Sequence, residues 1–201
     1  WTLAGGALWI YDADALLGGA DDFGPLAKLV AITGKDSDGY SLFIYANAAL
    51  ESLNGLSRLR GALPGGLWVY GNAELRSLDG LAGLDGVDAS GAPSHPHEHS
   101  VFIANNDALT SVAGLRNALR GRTLPSRLQI SGNFALASAA GLEGLAGATT
   151  QVTIADNNPE MCLSQDDHDA LSAITEIGGD GTYIQDALSP AAFDAKCTAC
   201  P

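Results

Sequence analysis

Residues 42–59 read Leu42-Phe43-Ile44-Tyr45-Ala46-Asn47-Ala48-Ala49-Leu50-Glu51-Ser52-Leu53-Asn54-Gly55-Leu56-Ser57-Arg58-Leu59. Two periodicities meet inside this stretch. Leu42 and Ile44 alternate with Phe43 and Tyr45, the period of two expected of a short β-strand. From Leu50 onward the apolar residues Leu50, Leu53, Leu56 and Leu59 fall at every third place, a step that suits 3₁₀-like or irregular turns, or a short helix. Between the two patterns stands Asn47, three residues after Ile44, where the chain turns out of the strand. A buried Asn at such a place can bond turn backbone groups of its own unit and of the next, so a column of them would form a ladder.

The stretch recurs along the chain. Leu67-Trp68-Val69-Tyr70-Gly71-Asn72-Ala73-Glu74-Leu75, Val101-Phe102-Ile103-Ala104-Asn105-Asn106-Asp107-Ala108-Leu109 and Leu128-Gln129-Ile130-Ser131-Gly132-Asn133-Phe134-Ala135-Leu136 repeat it. Weaker copies stand at Leu8-Trp9-Ile10-Tyr11, with Ala13 in the Asn place, at Val152-Thr153-Ile154-Ala155-Asp156-Asn157 and at Thr182-Tyr183-Ile184-Gln185. The second half recurs as well: Leu53, Gly55, Leu56 and Leu59 match Leu78, Gly80, Leu81 and Leu84, then Val112, Gly114 and Leu115, then Gly141, Leu142 and Leu145. The first unit has Phe23, Pro25, Leu26 and Leu29 there. The recurring Gly is expected to relieve crowding at a tight bend. The central residues Ile10, Ile44, Val69, Ile103, Ile130, Ile154 and Ile184 are separated by 34, 25, 34, 27, 24 and 30. A fixed motif at irregular spacing predicts a constant strand edge with variable loops. No unit can bury its apolar edge alone, so neighbours must stack. The expected fold is a right-handed parallel β-solenoid of about seven coils, with the repeat body at 1–160 and a C-terminal cap at 161–201 that includes the degenerate last coil.

The pattern Ile-x-x-Asn-x-x-Leu-x-x-Leu-x-Gly-Leu resembles leucine-rich repeats. It is more similar to the receptor L-domain family, the β-helix-like variant in which two residues separate Asn from Leu, where ordinary leucine-rich repeats have one. The resemblance covers roughly residues 8–188. It implies an extracellular or cell-surface binding module without catalysis, whose ligand is read by individual outward residues.

Composition narrows the partners. The chain has 201 residues with 46% hydrophobic content, which excludes a disordered acidic tail. Lys+Arg number 10 against 23 Asp+Glu, a net charge of −13. So negative a chain is not built for nucleic acid or anionic membranes. No apolar run reaches the length of a membrane span. The one Met is Met161, so Trp1 is read as the start of a processed product or a fragment, with any signal peptide out of view.

If the aliphatic residues point inward, a first outward row comprises Trp9, Phe43, Trp68, Phe102, Gln129, Thr153 and Tyr183. A second comprises Tyr11, Tyr45, Tyr70, Ala104, Ser131, Ala155 and Gln185. Seven aromatic side chains, Trp9, Tyr11, Phe43, Tyr45, Trp68, Tyr70 and Phe102, thus fall on one face of the first four coils. Coils stack about 4.8 Å apart, so the rings should form two ladders. Their area approaches or exceeds the roughly 300–600 Å² of a monomer's largest apolar patch. Three readings follow. The rings support one another or are covered by the long segments 18–41 and 85–100; or they bind protein, self-association included; or they form a platform for sugar rings.

The repeat changes at Asn157-Asn158-Pro159. A helix is expected to start near Ser164 or Asp166, with Asp166, Asp167 and Asp169 in its first turn. Ala170, Leu171, Ile174 and Ile177 would form its apolar face, and Gly178-Gly179 would end it. Cys162 is expected to pair with Cys197 or Cys200, implying an oxidising compartment; a redox dithiol and a zinc site of three cysteines and a His are the alternatives. His95-x-His97-x-His99 could hold Zn²⁺ or Cu²⁺ from one side of an extended segment, or be a polar insertion between coils. Asp36-Ser37-Asp38-Gly39 resembles a fragment of a calcium loop without its twelfth-place Glu, and Asp12, Asp14, Asp21 and Asp22 offer carboxylates to the first coil. No Gly-x-Ser-x-Gly elbow and no phosphate-binding Gly loop after a strand is present. The expectation is a non-enzyme without cofactors that docks a protein partner extracellularly or at a cell surface. The runner-up is a subunit polymerising into a fibre or surface layer, its amino-terminal coil open for stacking; a glycan-binding adhesin stands third.

Overall fold

A computed structural model describes residues 1–13, 26–88, 99–138, 140–142, 145–148, 151–158, 176–177 and 181–184. Seven strands stack in parallel and in chain order: β1 (Leu8–Tyr11), β2 (Tyr40–Tyr45), β3 (Gly66–Tyr70), β4 (His99–Ala104), β5 (Arg127–Ser131), β6 (Gln151–Ala155) and β7 (Gly181–Ile184). The register follows the repeat. Ile10, Ile44, Val69, Ile103, Ile130, Ile154 and Ile184 are successive partners. The molecule is a parallel β-solenoid of stacked coils.

Strand parity is as the alternation requires. Leu42, Ile44, Leu67, Val69, Val101, Ile103 and Leu128 are fully buried, and Leu50, Leu53, Leu56, Leu59, Leu75, Leu78, Leu81, Leu84, Leu109 and Leu115 join them in one core. The three-residue step is realised as 3₁₀ turns at Asn54–Leu56, Asp79–Leu81 and Ala113–Leu115. Each closes with an i→i+3 bond such as Leu56 N–H to Leu53 O, the geometry that places every third side chain on one edge.

The expected Asn column is present. Asn72 shows the pattern: its backbone N–H and its Nδ2 both donate to Asn106 Oδ1 at 3.1 Å, and Nδ2 also donates to Ile44 O in the preceding coil. Asn47 donates likewise to Asn72 and to Ile10 O, Asn106 to Asn133 and to Val69 O, and Asn133 to Asn157 and to Ile103 O. All five Asn are buried. In the first coil, where Ala13 replaces Asn, the Ala13 N–H still donates to Asn47 Oδ1. The ladder lets buried turn backbone pair without water, which buried N–H and C=O groups require.

The residue before each Asn position has a second shared property. Asp12, Ala46, Gly71, Asn105, Gly132 and Asp156 all have φ between +48° and +68°. Each coil therefore leaves its strand through one left-handed residue, a place that favours Gly, Asn and Asp and strains Ala. The motif glycines act differently from the expected relief of a bend. A Cβ on Gly80 would fall on the carbonyl of Leu53, and one on Gly114 on that of Leu78. The crowding lies between coils: one 3₁₀ turn rests directly on the backbone of the coil before it.

The cap expectation needs correction at its end. Glu176–Ile177 is a strand, in parallel register with Gly147–Ala148, which pairs in turn with Thr123–Leu124. Ile177 thus extends a three-stranded ladder, Thr123–Leu124, Gly147–Ala148 and Glu176–Ile177, and is not the last turn of a helix. The rest of the expected helix, 164–175, lies outside the described residues, as do Gly178, Gly179 and all three cysteines, Cys162, Cys197 and Cys200. The right-handed sense and the domain division at 160/161 carry over as expectations. Among the described residues no helix is long and apolar enough to cross a membrane.

Candidate functional site

The outward residues of β1–β4 assemble two continuous columns of rings. In the first, Trp9 stacks on Phe43 (centroids 4.2 Å apart), Phe43 on Trp68 (5.5 Å) and Trp68 on Phe102 (4.0 Å). In the second, Tyr11 stacks on Tyr45 (6.1 Å) and Tyr45 on Tyr70 (5.4 Å), and Tyr70 tilts against Phe102 at 5.9 Å. Interplanar angles within the stacked pairs run from 12° to 26°. All seven expected site residues are therefore brought together. The columns are also cross-linked, since Phe43 meets Tyr45 edge-to-face at 6.0 Å.

This geometry decides which part of each ring a ligand can reach. Stacking at coil spacing turns the faces of the inner rings toward one another and leaves their edges outward. Exposure falls along the face: Trp9 is 49% and Tyr11 61% exposed, whereas Phe43, Tyr45, Trp68, Tyr70 and Phe102 are half-buried.

Two members of the site escaped the repeat pattern. Tyr40 meets Phe43 at 6.1 Å and Trp68 at 5.3 Å, edge-to-face. His99 meets Trp68 at 5.9 Å and Phe102 at 4.8 Å in the same manner. Simple alternation back from Phe43 sends Tyr40 inward. A register shift between Tyr40 and Leu42 reverses that, making Ser41 an extra residue. Ser41 is fully buried, and its Oγ donates to Gly34 O and accepts from Gly65 N–H. The same shift after His99 makes Ser100 the extra residue, its Oγ accepting from Ser126 N–H. Gly66 lies between Tyr40 and His99. A Cβ there would come within 2.8 Å of the Tyr40 ring and 2.7 Å of the His99 carbonyl. The missing side chain lets both rings lean on Trp68. The recurring Ser before Leu42 and Val101 was the available signal.

His99 accordingly does not stand in an open loop. It is buried, and its Nε2 lies 3.1 Å from Gln129 Oε1. That contact engages Nε2 along the strand face. His95 and His97 lie outside the described residues. Asp36-Ser37-Asp38-Gly39 forms a turn: Asp36 Oδ1 accepts from the N–H groups of Asp38 and Tyr40, and Oδ2 accepts from Trp9 Nε1 at 3.0 Å. That carboxylate fixes the outermost indole of the ring column. Asp14, Asp21 and Asp22 lie outside the described residues.

Beyond Phe102 the face changes character. Gln129 and Ser131 replace rings in register with Phe102 and Ala104, and Gln129 Nε2 donates to Ser131 Oγ. Arg127 stands in register with His99. Comparison of the chain with protein-family models, curated proteins and solved structures gave no match.

Proposed function

We propose that this chain is a non-catalytic binding module, extracellular or at a cell surface, whose outward aromatic face docks a protein partner. The observation that carries the reading is the orientation of the rings. Sugar rings stack on the open faces of Trp and Tyr, and here the inner faces are spent on one another. A protein segment instead packs apolar side chains against ring edges and reaches the phenol hydroxyls of Tyr11, Tyr45 and Tyr70 with backbone carbonyls; such aromatic clusters dominate protein interfaces. The inner side of the same strands holds the aliphatic core, which leaves the outer side for a partner. The finer likeness to receptor L-domain repeats belongs to the same proposal and rests on the Ile-x-x-Asn-x-x-Leu spacing; the extracellular setting rests on that likeness.

The test is a random-peptide library displayed on phage and selected on the folded chain. Peptides that bind the wild type should bind the Trp9→Ala/Tyr11→Ala double variant at least about tenfold more weakly, a loss of about 1.4 kcal/mol, with the unfolding midpoint little changed. Failure to select any peptide, or selected peptides indifferent to the double variant, would remove the reading.

A further inference from the structure

We propose that the docked segment carries a carboxylate that pairs with Arg127, so that the face takes an extended polypeptide with apolar residues over the rings and an acidic residue at the β5 end. The inference rests on the docking reading above and adds the partner's chemistry and polarity.

Arg127 is the one Lys, Arg, Asp or Glu among the described outward positions of β1–β7, and it follows immediately where the rings stop. It is half-buried, and its Nε is buried without an acceptor. Other arginines of the molecule are engaged. Arg122 donates to Asp88 and to Asp85 O, Arg60 donates to the carbonyls of Ser57 and Leu59, and Arg76 pairs with Glu51. Twenty-three acidic residues are available to a chain of net charge −13, yet none of the described ones meets Arg127. Two polar residues near it are bonded to others, His99 to Gln129 and Gln129 to Ser131.

A guanidinium offers five donors in a planar fork that matches a carboxylate, and a partly desolvated one gains more from an anion than from a neutral acceptor. The exposed ring edges next to it carry the positive rim of the aromatic quadrupole. Ring edges and guanidinium therefore present the same electrostatic sign at the Phe102–Arg127 end of the face, away from the Asp36 carboxylate on Trp9. An acidic residue flanked by apolar ones complements both; a basic or purely apolar segment complements only the rings.

The peptide selection described above is repeated on the Arg127→Glu and Arg127→Gln variants, with far-UV circular dichroism and urea unfolding as controls for the fold. Wild type is expected to enrich peptides with Asp or Glu at one end of an apolar run. Those peptides should bind Arg127→Gln about tenfold or more weakly, and Arg127→Glu should enrich Lys or Arg at the same place. Ring-dependent peptides with no acidic preference, or an acidic preference unchanged in Arg127→Gln, would overturn the inference and leave the docking reading standing. No ring-dependent peptides at all would overturn both. Sedimentation gives a further outcome: self-association abolished by Arg127→Glu would make a second copy the occupant and overturn a separate partner.

Discussion

The two faces of one parallel sheet obey different rules. On the inner face the coils of β2 to β6 repeat the same chemistry, aliphatic-x-aliphatic and then Asn, because each side chain meets its own equivalent in the next coil. Leu42, Leu67, Val101 and Leu128 are interchangeable in kind, and Asn47, Asn72, Asn106 and Asn133 nearly so in their bonds. On the outer face the residue type changes along the stack, from Trp9 and Tyr11 to Gln129 and Ser131. Packing dictates the first face. It leaves the second free to vary from coil to coil, which is why the proposed docking site is placed there.

That contrast can be broken most severely at the ladder. Asn106→Ala removes the acceptor of Asn72 N–H and Nδ2, and the donor to Val69 O. Leaving several buried polar groups unpaired should cost about 3–5 kcal/mol, read as a lowered urea midpoint. An unchanged midpoint would mean that water or a shifted coil replaces the ladder. Gly80→Ala comes next. Its Cβ has nowhere to go but the Leu53 carbonyl, and forcing the coils apart should cost about 2–3 kcal/mol.

Trp68→Ala probes whether the outer face is partly scaffold. Its ring touches Phe43, Phe102, Tyr40 and His99. A stability loss of about 1–2 kcal/mol is expected, smaller than at the ladder because the site is half-exposed. A larger loss than for Asn106→Ala would place these rings in the core. The smallest effect has the opposite sign. Ala46 holds φ +53° where two other coils use Gly71 and Gly132, so Ala46→Gly should stabilise by about 0.5–1 kcal/mol, the left-handed strain relieved exceeding the entropy that Gly adds to the unfolded chain.

Much of this was legible in the residues. The period of two around Ile44 gave the strand and its parity, and the three-residue step from Leu50 gave the 3₁₀ turns. The Asn three places after each central residue gave the ladder, since a buried polar group at a fixed position must find equivalents of itself. What was hidden depended on contacts between coils. Gly80 looks like a bend residue in sequence because the carbonyl it meets belongs to Leu53, 27 positions earlier. Tyr40 and His99 were hidden because one extra residue, Ser41 or Ser100, shifts parity at the strand start. Ile177 fits an apolar helix face and a strand equally well, and only its pairing with Ala148 decides.

The claim that the ring face receives the partner is tested most directly by hydroxyl-radical footprinting of the chain with and without a selected peptide. Phe134, 63% exposed and outside both ring columns, is the internal reference. Protection of Trp9, Tyr11, Tyr45 and Tyr70 with Phe134 still fully reactive is the predicted result. Protection of Phe134 with the rings unchanged would contradict it.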